Sequence, residues 1–353
     1  MTKKTRFIVK RMLNKTLNIS TSPHIVKGIG TDDIMRNVVW ALLPVAAFAV
    51  YSFGLSALAV LLTTTAACVL TEHFLSKKSK SGSTVSDWSA VITGLLLGLT
   101  LPPNFPVWMA FAGGVIAIAL GKFVFGGLGY NVFNPALVGR AVLQAAFPVA
   151  ITTWFPAFGP ERFSSFSVAT FTAPFMEPAT DGFTGATPLA AFKFDKVTTE
   201  TSELALGLIT GSTGETCAAL IILGGLYLIA RKMMNWRIPV SILLTVFVVS
   251  GALYLVDSQA YPSPVFMLFS GGLMLGAVFM ATDMVASPIT PLGVWLYGAL
   301  IGLLVVVIRI WGGLPEGVMY AILLANAVSP HIDNAIRPRV YGTKKKGIRE
   351  LGN

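Results

Sequence analysis

The chain has 353 residues, of which 54% are hydrophobic and 12% are charged, whereas a soluble domain has about 25% charged residues. This composition excludes an ordinary soluble protein and predicts an all-α polytopic membrane protein surrounded by lipid. The formal net charge of +10 does not indicate a nucleic-acid partner, because most of the positive charge lies beside apolar stretches, as it does in cytoplasmic loops. Of the 26 Lys and Arg residues, 20 lie in four short segments: residues 1–36, 76–84, 231–237 and 331–353.

The basic segment 1–36 contains no continuous apolar run. It is therefore not predicted to be a cleavable signal peptide, and we expect it to stay in the cytoplasm. Cys68 and Cys217 each lie in an apolar stretch without a partner at ligand spacing. We interpret both as small buried residues and expect no metal site and no cysteine-ligated cluster in this chain.

Ten apolar segments follow and are predicted to cross the membrane. A helix of about 17–21 residues rises roughly 25–31 Å, enough for the hydrocarbon core. The predicted spans are Asn37–Gly54, Leu55–Leu75, Val85–Leu101, Val107–Phe125, Ala136–Trp154, Gly214–Ala230, Ile238–Asp257, Val265–Thr282, Leu292–Ile310 and Gly317–Ser329.

Ten spans beginning inside the cell divide the chain into a first transmembrane half (37–154), a loop (155–213), a second half (214–330) and a basic cytoplasmic tail (331–353). All four basic segments then share the cytoplasmic face. The loop carries six acidic and three basic residues, which agrees with an extracytoplasmic position.

The two halves contain similar short sequences. TGLLLG at Thr93–Gly98 resembles GGLMLG at Gly271–Gly276, which pairs the third span with the eighth and predicts two inverted five-helix halves. A rival match, PVWMAFAGG from Pro106 with PVFMLFSGG from Pro264, pairs the fourth span with the eighth in parallel. We prefer the inverted arrangement because it divides ten spans evenly.

Two stretches rich in Pro, Gly and polar residues interrupt the apolar pattern, Gly126–Arg140 and Ala281–Gly293. They are equally compatible with cavity-lining backbone and with ordinary cytoplasmic turns. Most ionisable residues near spans, such as Glu72, Lys122 and Arg309, are expected to reach the interface by snorkelling. A possible ion path is formed by Asp283, Thr282, Asn134 and Glu316, and Arg140 could hold helix carbonyls or a lipid phosphate.

The loop contains the sequence DGFTGATPL at Asp181–Leu189. Gly185 and Ala186 are small and leave the Thr187 hydroxyl accessible, while Pro188 disfavours a helical conformation at Thr187 and keeps it extended. An exposed, extended threonine can be presented to another enzyme. Composition alone favours a plain turn at this position.

The chain resembles a known family, the D subunits of Rnf electron-transfer complexes, whose close relative is the B subunit of the sodium-translocating NADH:quinone oxidoreductase. The resemblance covers most of the chain in the family's order. The stretches that carry it are ITGLLLGLTLPP (Ile92–Pro103), FGGLGYNVFNPALVGR (Phe125–Arg140), DGFTGATPL, FMATDMVASPITPLG (Phe279–Gly293), EGVMYAILLANAVSPHID and RPRVYG.

The resemblance implies that Thr187 carries FMN through a phosphoester bond, installed by a separate flavin transferase that uses FAD. Thr184 stands where the family often has Ser. The resemblance also implies a urea-channel-like fold, a bacterial inner-membrane location and, as a further possibility, a second, non-covalent flavin such as riboflavin. The residues implied to surround the attachment site are Asp181, Gly182, Thr184, Gly185, Ala186 and Leu189.

As implied by the family, the whole complex moves electrons between ferredoxin and NAD and couples this flow to Na⁺ or H⁺ translocation. This chain has no dinucleotide fingerprint and no cysteine framework, so those sites belong to partner iron–sulfur and flavin subunits. The expectation is a relay without catalytic residues of its own. Two alternatives stay open: the quinone-reductase relative, which usually has a longer N-terminal region, and a non-redox channel or solute carrier of similar fold.

Overall fold

The computed structural model describes residues 30–78, 85–174, 176, 186–197, 199–200, 203–204, 207, 210–215 and 217–337. Within these residues the regular structure is entirely helical. The principal helices are α1 (Thr31–Phe53), α2 (Leu55–Lys78), α3 (Ser89–Thr100), α4 (Val107–Ile118, extended by a π-helical turn at Ala119–Phe123), α5 (Pro135–Ala146), α6 (Ala218–Ala230), α7 (Arg237–Val256), α8 (Pro264–Phe269, then Leu273–Leu275 and a π-helical turn at Gly276–Met280), α9 (Pro291–Trp311) and α10 (Val318–Ala335).

Every predicted span overlaps one of these helices, but the bounds and lengths differ, and ten membrane crossings are not established. By length and composition four can cross a membrane: α1, α2, α7 and α9. Helices α3 and α6 are apolar but have only 12 and 13 residues. The chain is thus a membrane protein with four clear spanning helices among the described residues, and the prediction of an all-α fold is confirmed.

The predicted fifth and eighth spans are wrong as continuous helices. The fifth divides into α5 and a short helix at Pro148–Thr152, because Pro148 cannot continue the hydrogen-bond ladder of the preceding turn. The eighth breaks at Ser270–Gly272, where Gly271 has a φ of 65° that favours glycine. Arg309 of α9 reaches this break and donates to the carbonyl oxygens of Met267 (2.6 Å) and Ser270 (2.8 Å).

Glycine also allows the loop after α5 to attach to the helices. Gly54, between α1 and α2, has a φ of 75°, and a Cβ there would lie 1.9 Å from the carbonyl oxygen of Arg162. This close approach lets the Leu55 amide donate to that same oxygen at 2.9 Å. The beginning of the 155–213 loop is therefore fixed at the junction of the first two helices.

The helices pack in two similar groups. In the first half α2 packs on α3 and α4, and α4 packs on α5; in the second, α7 packs on α8 and α9, and α9 packs on α10. Contacts between α1 and α6 join the groups, and one hydrophobic core runs through both.

Three ionisable residues expected to snorkel are instead buried inside the bundle. Lys122 of α4 pairs with Glu72 of α2 at 2.5 Å, and their side chains are only 6% and 4% exposed. Arg309 is also buried and bonds backbone carbonyls at the α8 break. The snorkelling interpretation is wrong for all three, because internal partners compensate their charges.

Candidate functional site

A cavity of about 400 Å³ lies beneath the segment that carries Thr187. This segment, residues 186–197, is called the attachment segment below. Apolar side chains contribute most of the wall, and Arg140, Glu215 and Glu316 are its charged members. A volume of this size is typical of small-molecule and cofactor sites. The remaining lining residues are Gln144, Ile151, Thr152, Trp154, Ala186, Thr187, Leu189, Ala190, Phe194, Gly271, Leu314, Pro315 and Met319.

Thr187 is extended, with φ −67° and ψ 152°, as the following proline predicts. Its hydroxyl oxygen accepts a hydrogen bond from the Ala190 amide at 3.3 Å and caps the short helix that begins at Pro188. Thr187 is only 8% exposed, so the expectation of an exposed hydroxyl is wrong. The side chain lines the cavity instead.

Of the residues predicted around Thr187, Ala186 and Leu189 line the same cavity. Leu189 is buried and packs with Leu204 and Phe266. The other predicted members, Asp181, Gly182, Thr184 and Gly185, lie outside the described residues.

Arg140 and Glu316 form an ion pair at the wall of the cavity, at 2.9 Å. The second carboxylate oxygen of Glu316 accepts from the backbone amide of Gly272 at the α8 break, at 2.5 Å. Arg140 therefore binds a carboxylate rather than helix carbonyls or a lipid phosphate. Its Nε is buried without a partner within the described residues, which leaves one donor of a cavity-lining guanidinium for a ligand.

Glu215 was not predicted as a site residue. It is buried, lines the cavity, and accepts from the Ser212 hydroxyl at 2.7 Å. In the sequence Glu215 is distinguished only by its place just before an apolar helix. An acidic residue at such a place usually stabilises the N-terminus of the helix and does not by itself indicate a binding site. Gln144 and Trp154 have no sequence signal as site residues, because only the fold brings them to Thr187.

Lys193 holds the attachment segment to α9. Its ammonium donates to the carbonyl oxygens of Arg309 (3.1 Å), Gly312 (2.5 Å) and Leu314 (3.0 Å), at and just beyond the C-terminus of that helix. Burial lowers the pKa of Lys193 below its ordinary value, whereas the three carbonyl acceptors favour the charged form.

A second, smaller cavity of about 120 Å³ lies among α3, α4 and the segment after α8. Asp283, Thr282 and Asn134 all line it, whereas Glu316 lines the Thr187 cavity. Asp283 accepts from the Asn131 amide at 3.1 Å, and Asn134 donates to the Met280 carbonyl at 3.1 Å. The structure thus brings together three of the four residues of the predicted ion path.

The described part of the chain contains no group of three or more His, Cys, Asp or Glu residues placed to hold a metal ion. The residues that line the Thr187 cavity are chemically compatible with a flavin. It offers a hydroxyl for attachment, a mostly apolar wall that includes Trp154 and Phe194, and an arginine with a donor to spare. Aromatic and apolar surfaces accommodate a planar ring system, and a guanidinium suits a phosphate.

Comparison with known proteins shows the family to which the chain belongs. Residues 18–342 match the family model described as the NQR2, RnfD, RnfE family. The D subunit of the proton-translocating ferredoxin:NAD(+) oxidoreductase complex of Clostridium ljungdahlii is 42% identical over 337 residues, with 93% of this chain and 96% of the relative covered. The D subunit of the Na(+)-translocating ferredoxin:NAD(+) oxidoreductase complex of Acetobacterium woodii is 42% identical over 333 residues, covering 93% and 96%.

A third relative, the D subunit of the ion-translocating oxidoreductase complex of Alcanivorax borkumensis, is 39% identical over 339 residues and covers 93% of this chain and 98% of the relative. Both the family model and these relatives span nearly the whole sequence, and the matched residues include every helix from α1 to α10. The chain therefore belongs to the NQR2, RnfD, RnfE family.

Proposed function

We propose that this protein is the D subunit of an Rnf-type complex in the bacterial cytoplasmic membrane and relays electrons between ferredoxin and NAD during ion translocation. The observation that carries the proposal is a threonine at the wall of a flavin-sized cavity in a chain 42% identical to two such subunits. The iron–sulfur and dinucleotide sites are assigned to partner subunits of the complex.

Thr187 is the residue proposed to carry FMN through a phosphoester: a flavin transferase would join its hydroxyl oxygen to the FMN phosphorus of FAD, break the pyrophosphate bond and release AMP. A bound flavin would supply transfer of one electron at a time. The chain's own residues hold it: the Thr187 oxygen forms the link, Arg140 faces the cavity with a free donor, and Trp154 contributes an apolar surface.

The test is an assay of the purified complex with reduced ferredoxin and NAD. We expect NAD reduction that depends on ferredoxin. A complex that oxidises NADH with quinone and ignores ferredoxin would instead be the quinone-reductase relative. No feature of the described residues favours a channel, and the three relatives are all named as oxidoreductase subunits.

The fold is proposed to consist of two inverted five-helix halves. Two buried cations at corresponding positions support this. Lys122, near the end of α4, bonds Ser89 of α3, the third helix of the first half. Arg309, near the end of α9, bonds the Met267 carbonyl of α8, the third helix of the second half. Each is followed by a matching sequence, FGGL at Phe125–Leu128 and WGGL at Trp311–Leu314. These features pair α4 with α9, as inversion requires, and not α4 with α8.

Inverted halves and ten crossings predict the side of each loop. Ser164 and Asn235 are both exposed in the structure, in the 155–213 loop and between α6 and α7. In intact cells a membrane-impermeant maleimide should label Ser164→Cys and should reach Asn235→Cys only after permeabilisation. The native Cys68 and Cys217 are buried and give a low background. Labelling of both positions from outside would contradict the topology.

The second cavity is proposed to lie on the ion path, with Asp283 as the principal ligand, Thr282 and Asn134 beside it, and Glu316 at the Thr187 cavity. The relatives do not decide between ions, because one is named proton-translocating and an equally similar one Na(+)-translocating. The resemblance also suggests a second flavin such as riboflavin, for which a cavity of about 120 Å³ would have to widen.

Replacement of Asp283 by Asn tests this path, because it removes the charge and keeps the size. We expect ion transport by the complex in proteoliposomes to fall several-fold while flavin attachment at Thr187 is unchanged. Asp257→Asn is the control, since Asp257 is exposed just after α7. Among the described residues its carboxylate accepts hydrogen bonds from the nearby backbone amides of Gln259 and Ala260. Transport at the wild-type rate in Asp283→Asn would remove Asp283 from the path.

A further inference from the structure

One side chain of the attachment segment, Lys193, bonds the C-terminus of α9 and the connection that follows it. It lies six positions after Thr187, in the same short helical stretch. An ammonium group has three donors, and all three N–H groups of Lys193 find carbonyl acceptors, those of Arg309, Gly312 and Leu314, within 3.1 Å.

Two of the three acceptors, Gly312 and Leu314, belong to the connection that follows α9, and Arg309 lies in the last turn of that helix. Leu314, Pro315 and Glu316, in the connection after α9, line the same cavity as Thr187. This connection is fixed at its far end by Glu316, which binds Arg140 and the Gly272 amide. Lys193 bonds its near end, at Gly312 and Leu314, and thereby holds the attachment segment to this part of the cavity wall.

Apart from one hydrogen bond of Lys196, the other contacts shown between the attachment segment and the rest of the described residues are apolar, and they do not fix the segment in one position. Phe192 lies against Phe266 with ring centroids 5.6 Å apart, and Leu189 packs in the same small cluster. Apolar contacts are non-directional, whereas three hydrogen bonds to fixed carbonyls define both position and orientation. Lys196, three residues later, is exposed and makes one bond, to the Ala260 carbonyl at 3.2 Å.

We propose that Lys193 is a positioning residue that clamps the attachment segment to the C-terminus of α9, so that the group carried by Thr187 stays inside the cavity and in one orientation. This inference rests on the proposed attachment of FMN to Thr187. Without the Lys193 hydrogen bonds Thr187 keeps its covalent flavin, but the flavin samples positions outside the cavity.

The test uses the whole complex from a host that contains the flavin transferase, with Lys193→Met, Lys193→Gln and Lys193→Arg, and with Lys196→Met as the matched control. Methionine keeps the approximate length of the side chain and removes every N–H donor. Glutamine keeps some N–H donors without the charge, and arginine keeps the positive charge. Peptide mass reports whether Thr187 is loaded. The rate of hydrogen exchange in the 187–197 peptide reports how firmly the attachment segment is held. Quenching of the flavin fluorescence by iodide reports whether the ring is exposed to solvent, and the fluorescence anisotropy reports its rotational mobility.

We expect Lys193→Met and Lys193→Gln to remain loaded, with faster exchange of the attachment segment, a several-fold larger quenching constant and lower anisotropy. Lys193→Arg should recover part of each change, and Lys196→Met should match the wild type. Loaded Lys193→Met or Lys193→Gln protein with wild-type exchange and quenching would overturn the inference. An unloaded wild-type protein would instead contradict the proposed function, and the exchange measurement would still decide whether Lys193 acts as a clamp.

Discussion

Replacing Thr187 by Ala is expected to remove the covalent flavin and to lower ferredoxin-dependent NAD reduction to the background of the assay. Alanine has no hydroxyl to form a phosphoester, and the cavity that Thr187 lines would lose its attachment point. The change should not unfold the protein. Thr187 caps only one short helix, and loss of such a cap costs about 1 kcal/mol.

Two control variants separate attachment from folding. Thr187→Ser keeps a hydroxyl and is expected to retain at least part of the flavin and of the activity. Thr172→Ala removes a hydroxyl that bonds the Ala169 carbonyl elsewhere in the 155–213 loop, and it should leave both unchanged. In-gel flavin fluorescence and the NAD assay report the outcome. Normal NAD reduction by a Thr187→Ala complex would mean that the relay uses no flavin at this position.

The largest effect on stability is expected from Lys122→Met. The Lys122 ammonium contacts Glu72 at 2.5 Å and Ser89 at 2.5 Å, with Asp87 at 4.0 Å. Removing it takes the ammonium group away from the buried carboxylate of Glu72 and from the nearby carboxylate of Asp87. Breaking a buried pair in this way costs about 3–5 kcal/mol, and we expect the unfolding midpoint to fall by several degrees.

The measurement is thermal unfolding of the purified protein in detergent. Lys77→Met is the matched control, because Lys77 is exposed at the end of α2 and makes none of these contacts. The double variant Lys122→Met with Glu72→Leu should recover part of the loss, since it no longer buries the Glu72 charge. A Lys122→Met midpoint equal to that of Lys77→Met would show that the ion pair does not stabilise the fold.

The helix positions could be predicted from sequence because the lipid environment imposes a simple pattern. All ten apolar segments contain helices, and the predicted start of α9 differs from the structure by one residue. The break in α8 could not be predicted. Its sequence, PVFMLFSGGLMLG, is as apolar as the neighbouring spans, and the break depends on Arg309, which supplies donors to the carbonyls that the interrupted helix leaves open.

Only those features of the site that depend on neighbouring residues in the sequence could be predicted. The TGAT sequence and Pro188 indicate an extended threonine, and Thr187 is extended in the structure. Its burial depends on contacts distant in sequence, such as those of Lys193 with the connection after α9. The Arg140–Glu316 pair joins residues 176 positions apart. A charge whose partner is this remote in sequence cannot be distinguished by pattern from one that snorkels to the interface.

The mass of the peptide that contains Thr187, from protein produced together with the flavin transferase, tests the central claim most directly. We predict an increase equal to one FMN less water, assigned by fragmentation to Thr187 and absent from Thr187→Ala protein. An unmodified Thr187 peptide from a host whose transferase is shown to be active would contradict the assignment of Thr187 as the flavin attachment site.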